Sequence, residues 1–178
     1  MRKIAAATLG WLMLAVPALA ARDVGDSAPL FTAPASLAGE AYTFSLADAL
    51  AKGPVVLYFY PKAFTEGCTI EAHEFSETVE KYAALGATVI GVSGDSIDTL
   101  KKFSVSECRG KFPVAADVDH AIMKSYDAVL VPGLGIAKRI SFVIAPDARI
   151  LYVYSDLNPH KHVQNTLAAV QAYRSRSK

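Results

Sequence analysis

Two residues in this chain carry a thiol, Cys68 and Cys108, and the first stands where a nucleophile is useful. It lies in Pro61-Lys62-Ala63-Phe64-Thr65-Glu66-Gly67-Cys68-Thr69, between the apolar run Pro54 to Tyr60 and a segment of helical periodicity. Strand-to-helix turns are where α/β proteins place their sites. A cysteine in the first turn of a helix has free backbone N–H groups and the positive end of the helix dipole beside it. Both favour thiolate, the nucleophilic form, over thiol. The bland alternative is a small buried residue. Cys108 follows forty residues later, which is neither CxxC redox spacing nor the clustered spacing of a metal site. A structural disulfide between the two is the default if the chain is exported. His73 beside Cys68 makes only two ligands where a metal normally needs three or four. His120, His160 and His162 read as solvated, and Gly133-Leu134-Gly135, without the third glycine of a dinucleotide loop, reads as a turn.

The elements that must hold Cys68 are legible as patterns. Pro54-Val55-Val56-Leu57-Tyr58-Phe59-Tyr60 reads as a strand buried on both faces. From Cys68 to Ala84 the residues Ile70, Ala72, Phe75, Val79 and Tyr82 recur at helical spacing among Glu71, Glu74, Glu77 and Glu80, so an amphipathic helix with a glutamate-rich solvent face is expected. Before them, the Val24 to Pro29 and Pro34 regions read as an irregular lead-in, and Tyr42 to Leu46 as a strand. After them come a strand at Thr88 to Val92, a helix at Ser96 to Glu107 that Gly110 ends, a short strand at Phe112 to Ala115 and a short helix at Asp119 to Tyr126. Ile140 to Ile144 and Ile150 to Tyr154 read as a hairpin, and Val163 to Tyr173 as a closing helix. Alternating strands and helices with a late hairpin predict an α/β domain of thioredoxin-like fold, a central mixed β-sheet flanked by helices.

Pro61, Thr65 and Cys68 reproduce the Pro-x-x-x-Thr-x-x-Cys signature of peroxiredoxins, and Phe59 to Thr65 with Gly67-Cys68-Thr69 resembles the bacterioferritin comigratory protein (peroxiredoxin Q) branch. Val24-Gly25-Asp26-Ser27-Ala28-Pro29, Gly91-Val92-Ser93-Gly94-Asp95-Ser96 and Lys138-Arg139-Ile140-Ser141-Phe142-Val143-Ile144 resemble other segments of that family in the same order. The resemblance runs from Val24 to Tyr154. It implies a thiol-dependent peroxidase that reduces hydrogen peroxide and organic hydroperoxides through a cysteine sulfenic acid, with no metal, haem or flavin. Cys68 would be the peroxidatic nucleophile, Thr65 would orient the peroxide, Arg139 would hold the thiolate and the developing charge, and Pro61 would shield the cysteine. Outside the motif, Arg139 reads as a solvated charge beside Lys138, and Thr65 as an ordinary helix N-cap.

Two departures from the family pattern stand out. Glu66 occupies a place where resembling members carry proline, and its carboxylate suits the helix dipole yet repels a thiolate two residues away. His73 stands five residues after Cys68, where many relatives of this branch carry a resolving cysteine. Others place it on the helix after the second core strand, which makes Cys108 the resolving candidate. The reductant implied is a thioredoxin-like protein or another thiol.

The chain's 178 residues, 52% of them apolar, suit one domain with its own core. Met-Arg-Lys, an apolar run from Ile4 to Val16 and Pro17-Ala18-Leu19-Ala20 read as a secretory signal peptide over residues 1–20, too short for a membrane span. The expectation is a single domain over 21–178, exported to the periplasm or secreted, and a monomer or weak dimer. The formal charge is +1, and without Arg2 and Lys3 the rest carries −1, so nucleic acid is not an expected partner, and neither is a membrane. Two other readings stay open: a disulfide oxidoreductase, which would want a CxxC pair, and a non-enzymatic thioredoxin-fold protein with a permanent Cys68–Cys108 disulfide.

Overall fold

The computed structural model describes residues 22–176; the expected signal peptide lies outside them. The lead-in expected around Pro34 is instead a strand, Thr32–Leu37 (β1), paired antiparallel with Glu40–Ser45 (β2). Ala38 and Gly39 make the two-residue turn with φ of 51° and 86°, the left-handed pair that matches strand twist in a hairpin. Pro34 is tolerated because the ladder on the other side of β1 engages only Ala35 and Ser36, so its missing N–H is not needed there. Leu46, expected as the end of the strand, begins a short helix, Leu46–Leu50 (α1), because Ser45 Oγ accepts the Asp48 N–H at 3.2 Å and caps it.

The next elements follow the expected order: Val55–Phe59 (β3), Glu66–Ala84 (α2), Thr88–Ser93 (β4), Ile97–Ser106 (α3), Val114–Ala116 (β5) and Ala121–Ser125 (α4). Ser96 caps α3 by accepting the Thr99 N–H. Two short strands, Val129–Val131 (β6) and Ile136–Ala137 (β7), flank the expected turn at Gly133 and Gly135 and are too brief to show a period in the sequence. Ile140–Ile144 (β8) and Ile150–Ser155 (β9) form the late hairpin, and a 3-10 turn at Pro159–Lys161 leads into His162–Arg176 (α5).

The main sheet runs β2-β1-β5-β4-β3-β8-β9, with β3, β4 and β5 parallel and the other pairings antiparallel. All of β3 is buried, as its unbroken apolar run predicts, and its alternation divides the core. Val55, Leu57 and Phe59 face a cluster with α1 and α4, whereas Val56, Tyr58 and Tyr60 face one with α2, α3 and α5. Cys68 and Cys108 both belong to the second cluster.

Candidate active site

Strand β3 ends because Tyr60 makes its last bond to the Val92 carbonyl and Pro61 has no N–H to continue. The loop that follows is pinned from the neighbouring strand end: the Ala63 N–H donates to Asp95 Oδ2 at 2.8 Å, and Ser93 Oγ donates to the same oxygen at 2.8 Å. This gives the Ser93-Gly94-Asp95 segment a physical role that its pattern alone does not reveal. Phe64 is exposed, left-handed at φ 65°, and edge-on to Phe103 of α3.

Thr65 occupies the N-cap position of α2, but the simple cap reading is corrected. Its hydroxyl donates to the Lys62 carbonyl at 2.9 Å and caps none of the first-turn N–H groups. Those donors, Cys68 N–H among them, have no intrahelical acceptor. Cys68 lies in this first turn and is 1% exposed. Pro61 is half-buried at the loop's start, and Glu66 is exposed at the first helical position.

Arg139 precedes β8, which lies beside β3. The solvated-charge alternative does not hold, since the residue is 5% exposed. Its Nη2 donates to Cys68 Sγ at 3.5 Å, its Nε donates to the Leu157 carbonyl at 2.9 Å, and its Nη1 donates to Glu71 Oε2. Three of the five guanidinium N–H groups are thereby committed, leaving capacity for an incoming oxygen. Gly67 permits the approach: a Cβ there would lie 3.0 Å from Arg139 Nη2.

Glu71 corrects the expected solvent face of α2. It is fully buried, one turn on from Cys68 within the stripe that packs on the sheet, while Glu77 and Glu80 are exposed. Helical spacing placed it among the other glutamates, and only the cation arriving from β8 explains its burial. Burial pushes the Glu71 carboxyl up to about 8 against the pull of Arg139. Burial opposes the charge on Arg139 too, but Glu71 and Cys68 more than offset it, so the guanidinium stays ionised.

His162 was expected in solvent and is fully buried. Its Nε2 meets the Asp156 carbonyl at 2.9 Å and must donate, so in the neutral ring Nδ1 accepts from Ser141 Oγ at 2.8 Å. Burial, then the nearby Arg139 charge, lowers its pKa. Nδ1 also stands 3.7 Å from Glu71 Oε1. His120 is half-buried rather than solvated, its ring held between Gly94 and Gly135. His160 is exposed and paired with Glu74.

Cys108 lies two residues past α3, fully buried, and both cysteines are free thiols, not the static disulfide of the alternative reading. The helix ends before Gly110: Glu107 and Cys108 donate to the Phe103 carbonyl, and Arg109 and Gly110 turn left-handed at φ 53° and 65°. Burial, with Glu107 adding to it, pushes the Cys108 thiol well up. Side-chain contacts strap this turn to α2: His73 Nε2 to Glu107 Oε2 at 2.9 Å, and the ion pairs Glu77 to Arg109 at 3.1 Å and Glu80 to Lys111 at 3.4 Å. No group of three or more potential metal ligands occurs among the described residues.

The model of the AhpC/TSA family matches residues 24–153. Peroxiredoxin Bcp of Xanthomonas campestris is 30% identical over 152 residues, covering 82% of this chain and 92% of its own. The chloroplastic 2-Cys peroxiredoxin BAS1 of Hordeum vulgare is 33% identical over 156 residues, covering 84% and 74%. Among solved structures, peroxidoxin BcpB of Mycobacterium tuberculosis superposes with a TM-score of 0.76 at 31% identity, covering 84% of this chain and 96% of that one. A mutant of Xylella fastidiosa PrxQ does so at 0.76 and 28%, covering 86% and 98%. Sequence, family model and architecture point the same way: the chain belongs to the AhpC/TSA family and is a thiol-dependent peroxidase, an oxidoreductase of the peroxiredoxin type.

Proposed function

We propose that Cys68 attacks hydrogen peroxide or an organic hydroperoxide, that Arg139 and Thr65 orient the substrate while Pro61 shields the sulfur, and that Cys108 resolves the product within the same chain. The observation that carries this is the buried Arg139 guanidinium donating to Cys68 Sγ at 3.5 Å while anchored at two other points. Thiolate sulfur attacks one peroxide oxygen in line, the O–O bond breaks, and the other oxygen leaves with the electron pair and takes up a proton as water or alcohol. Negative charge grows on that oxygen, where spare guanidinium and first-turn N–H groups are already oriented. The sulfenic acid left on Cys68 condenses with Cys108 to a disulfide and water, and a thioredoxin-like protein or small thiol returns both to thiols. The leader sequence supports export, with the cycle running in the periplasm or outside the cell as a monomer or weak dimer.

Resolution needs movement. The strap sets the Cys108 turn level with His73, five residues beyond Cys68, or about 7.5 Å along the α2 axis at about 1.5 Å per residue. A disulfide requires Cα atoms within about 7 Å. The first turn of α2 and the left-handed turn around Arg109 are therefore the segments that must open, and helix ends open more readily than middles. Resolution is accordingly slower than oxidation. After one equivalent of peroxide, non-reducing peptide mapping is expected to find a Cys68–Cys108 link in monomeric protein. A lasting sulfenic acid with Cys108 still alkylatable, or a link only between chains, would overturn the assignment.

Glu66→Pro removes a carboxylate near the nucleophile and keeps a residue suited to the first helical position. The peroxide rate constant near neutral pH is expected to rise, by only about two- to threefold, because the exposed charge is screened. Stopped-flow oxidation measures this, and an equal or lower rate in the variant counts against repulsion by Glu66.

A further inference from the structure

Among the described residues, three buried side-chain polar atoms lack a hydrogen-bond partner, and one of them is Glu71 Oε1. When Glu71 is ionised this is the oxygen of an anion, the costliest kind of atom to bury without a partner. It faces His162 Nδ1 at 3.7 Å, and both side chains are fully buried. His162 Nε2 is committed as a donor to the Asp156 carbonyl, so Nδ1 of the neutral ring is an acceptor. Two buried acceptors therefore confront each other. Ser141 Oγ, 2.8 Å from Nδ1, gives the ring a partner and leaves the carboxyl oxygen without one. A proton on either atom turns the opposition into an attraction, and the soft terminal torsion of Glu71 can close the remaining gap.

The charges at the site lead to the same place. A Cys68 thiolate and an ionised Glu71 would set two anions against the single Arg139 cation, in a region where none of the three is more than 5% exposed. Surplus buried charge is strongly disfavoured. A protonated Glu71 removes the surplus: its Oε2 still accepts from Arg139 Nη1, and its Oε1–H turns toward His162. Burial favours the neutral form of each partner, raising Glu71 to about 8 despite Arg139 and lowering His162, so the carboxyl is the proton's seat.

We propose that Glu71 and His162 hold one proton between them, so that the pair faces Arg139 as a neutral unit and the guanidinium charge is left to the Cys68 sulfur and the peroxide. His162 is then a positioning residue, acting through Glu71 and Arg139 without contact with the sulfur. The proton is not consumed and stays on the pair through the attack. In what it assigns to catalysis, the proposal rests on Cys68 being the nucleophile. The titratable and charged groups that face this cluster are Cys68 and Glu74 of α2, Tyr58 of β3, Arg139 before β8, and Tyr154 and Asp156 at the end of β9.

Infrared difference spectra of the full-length protein, parent against Glu71→Gln at about pH 6, read the proton directly. A protonated-acid carbonyl band is expected in the parent and not in the variant, and it should vanish from the parent as pH rises through about 8. Oxidation of Cys68 by one equivalent of hydrogen peroxide, followed by alkylation and mass, is expected to slow about tenfold through the same window, as the carboxylate draws the guanidinium charge away. In Glu71→Gln the amide donates toward Nδ1 and accepts from Arg139 at every pH, so that decline is lost. His162→Phe keeps a ring against Tyr154 and removes the acceptor. Band and decline should both move about one pH unit lower, the effect of losing one hydrogen bond to the acid form. If that variant does not fold, the parent and Glu71→Gln carry the test. Absence of the acid band, a band without the decline in rate, a decline that persists in Glu71→Gln, or no movement in folded His162→Phe would each overturn the proposal. If Cys68 is not the nucleophile, the parent leaves it unoxidised while the band still titrates, a result distinct from a missing band.

Discussion

Peroxide consumption is expected to vanish in Cys68→Ser. Serine is the nearest isostere, only slightly smaller than cysteine in a site that is 1% exposed, and its hydroxyl can still accept from Arg139, so the fold is expected to hold. The hydroxyl does not ionise near neutral pH, however, and no alkoxide is available to attack the O–O bond. Cys108 cannot substitute, because burial and Glu107 push its thiol well up and, among the described residues, no hydrogen bond of Arg139 reaches its sulfur. The assay is peroxide disappearance with a dithiol as electron donor, with far-UV circular dichroism to confirm the fold. Turnover at the parent rate in this variant would place the nucleophile elsewhere.

Arg139→Ala carries the second large effect, on rate and on stability. Loss of one preorganised charge-stabilising donor slows such reactions by a factor on the order of 10² to 10³. Where the Glu71 carboxylate is charged, removing its partner from the buried pair costs about 3–5 kcal/mol, because Glu71 is left fully buried without its cation, and the cost is smaller where the carboxyl is protonated. The pH dependence has a definite sign. Glu71 sits at about 8 in the folded chain against an ordinary value of 4.5, so between those values the folded state holds a proton that the unfolded state has released. Stability therefore falls as pH rises through that window. Without Arg139 the carboxyl is pushed higher still, so the window extends to more alkaline pH and the variant's deficit widens there. Urea unfolding at about pH 6 and about pH 9 reads the difference. A deficit that is constant or smaller at the higher pH would mean that Glu71 is not the group left uncompensated.

The arginine's two roles have one origin. Its Nη2 reaches Cys68 only because Nη1 and Nε are held by Glu71 and the Leu157 carbonyl, and because Gly67 leaves room above the helix start. Under the proposed mechanism, a substitution at Glu71 is expected to change the reaction through the guanidinium and not by contact with the sulfur, which would make Glu71 a positioning residue.

The sequence by itself determined whatever depends on neighbours along the chain. The strand before Pro61, the helix carrying Cys68, the late hairpin and the order of the elements follow from local periodicity and from where proline and glycine interrupt it. The loop motif that carries Cys68 was legible for the same reason, its members being consecutive. Only the tertiary structure decided what depends on partners far apart in the chain. Glu71 reads as one more glutamate on a polar helix face, and it is the arrival of Arg139, 68 residues later, that makes its burial tolerable. His162 reads as a solvated residue until the fold brings Ser141 to one ring nitrogen and the Asp156 carbonyl to the other. The pairing of β1 with β5 turns an apparently irregular stretch containing proline into a strand. In each case desolvation sets the outcome. A polar or charged side chain can leave water only where a counter-charge or hydrogen-bond partner is supplied, and here that partner comes from a segment no local pattern could connect to it.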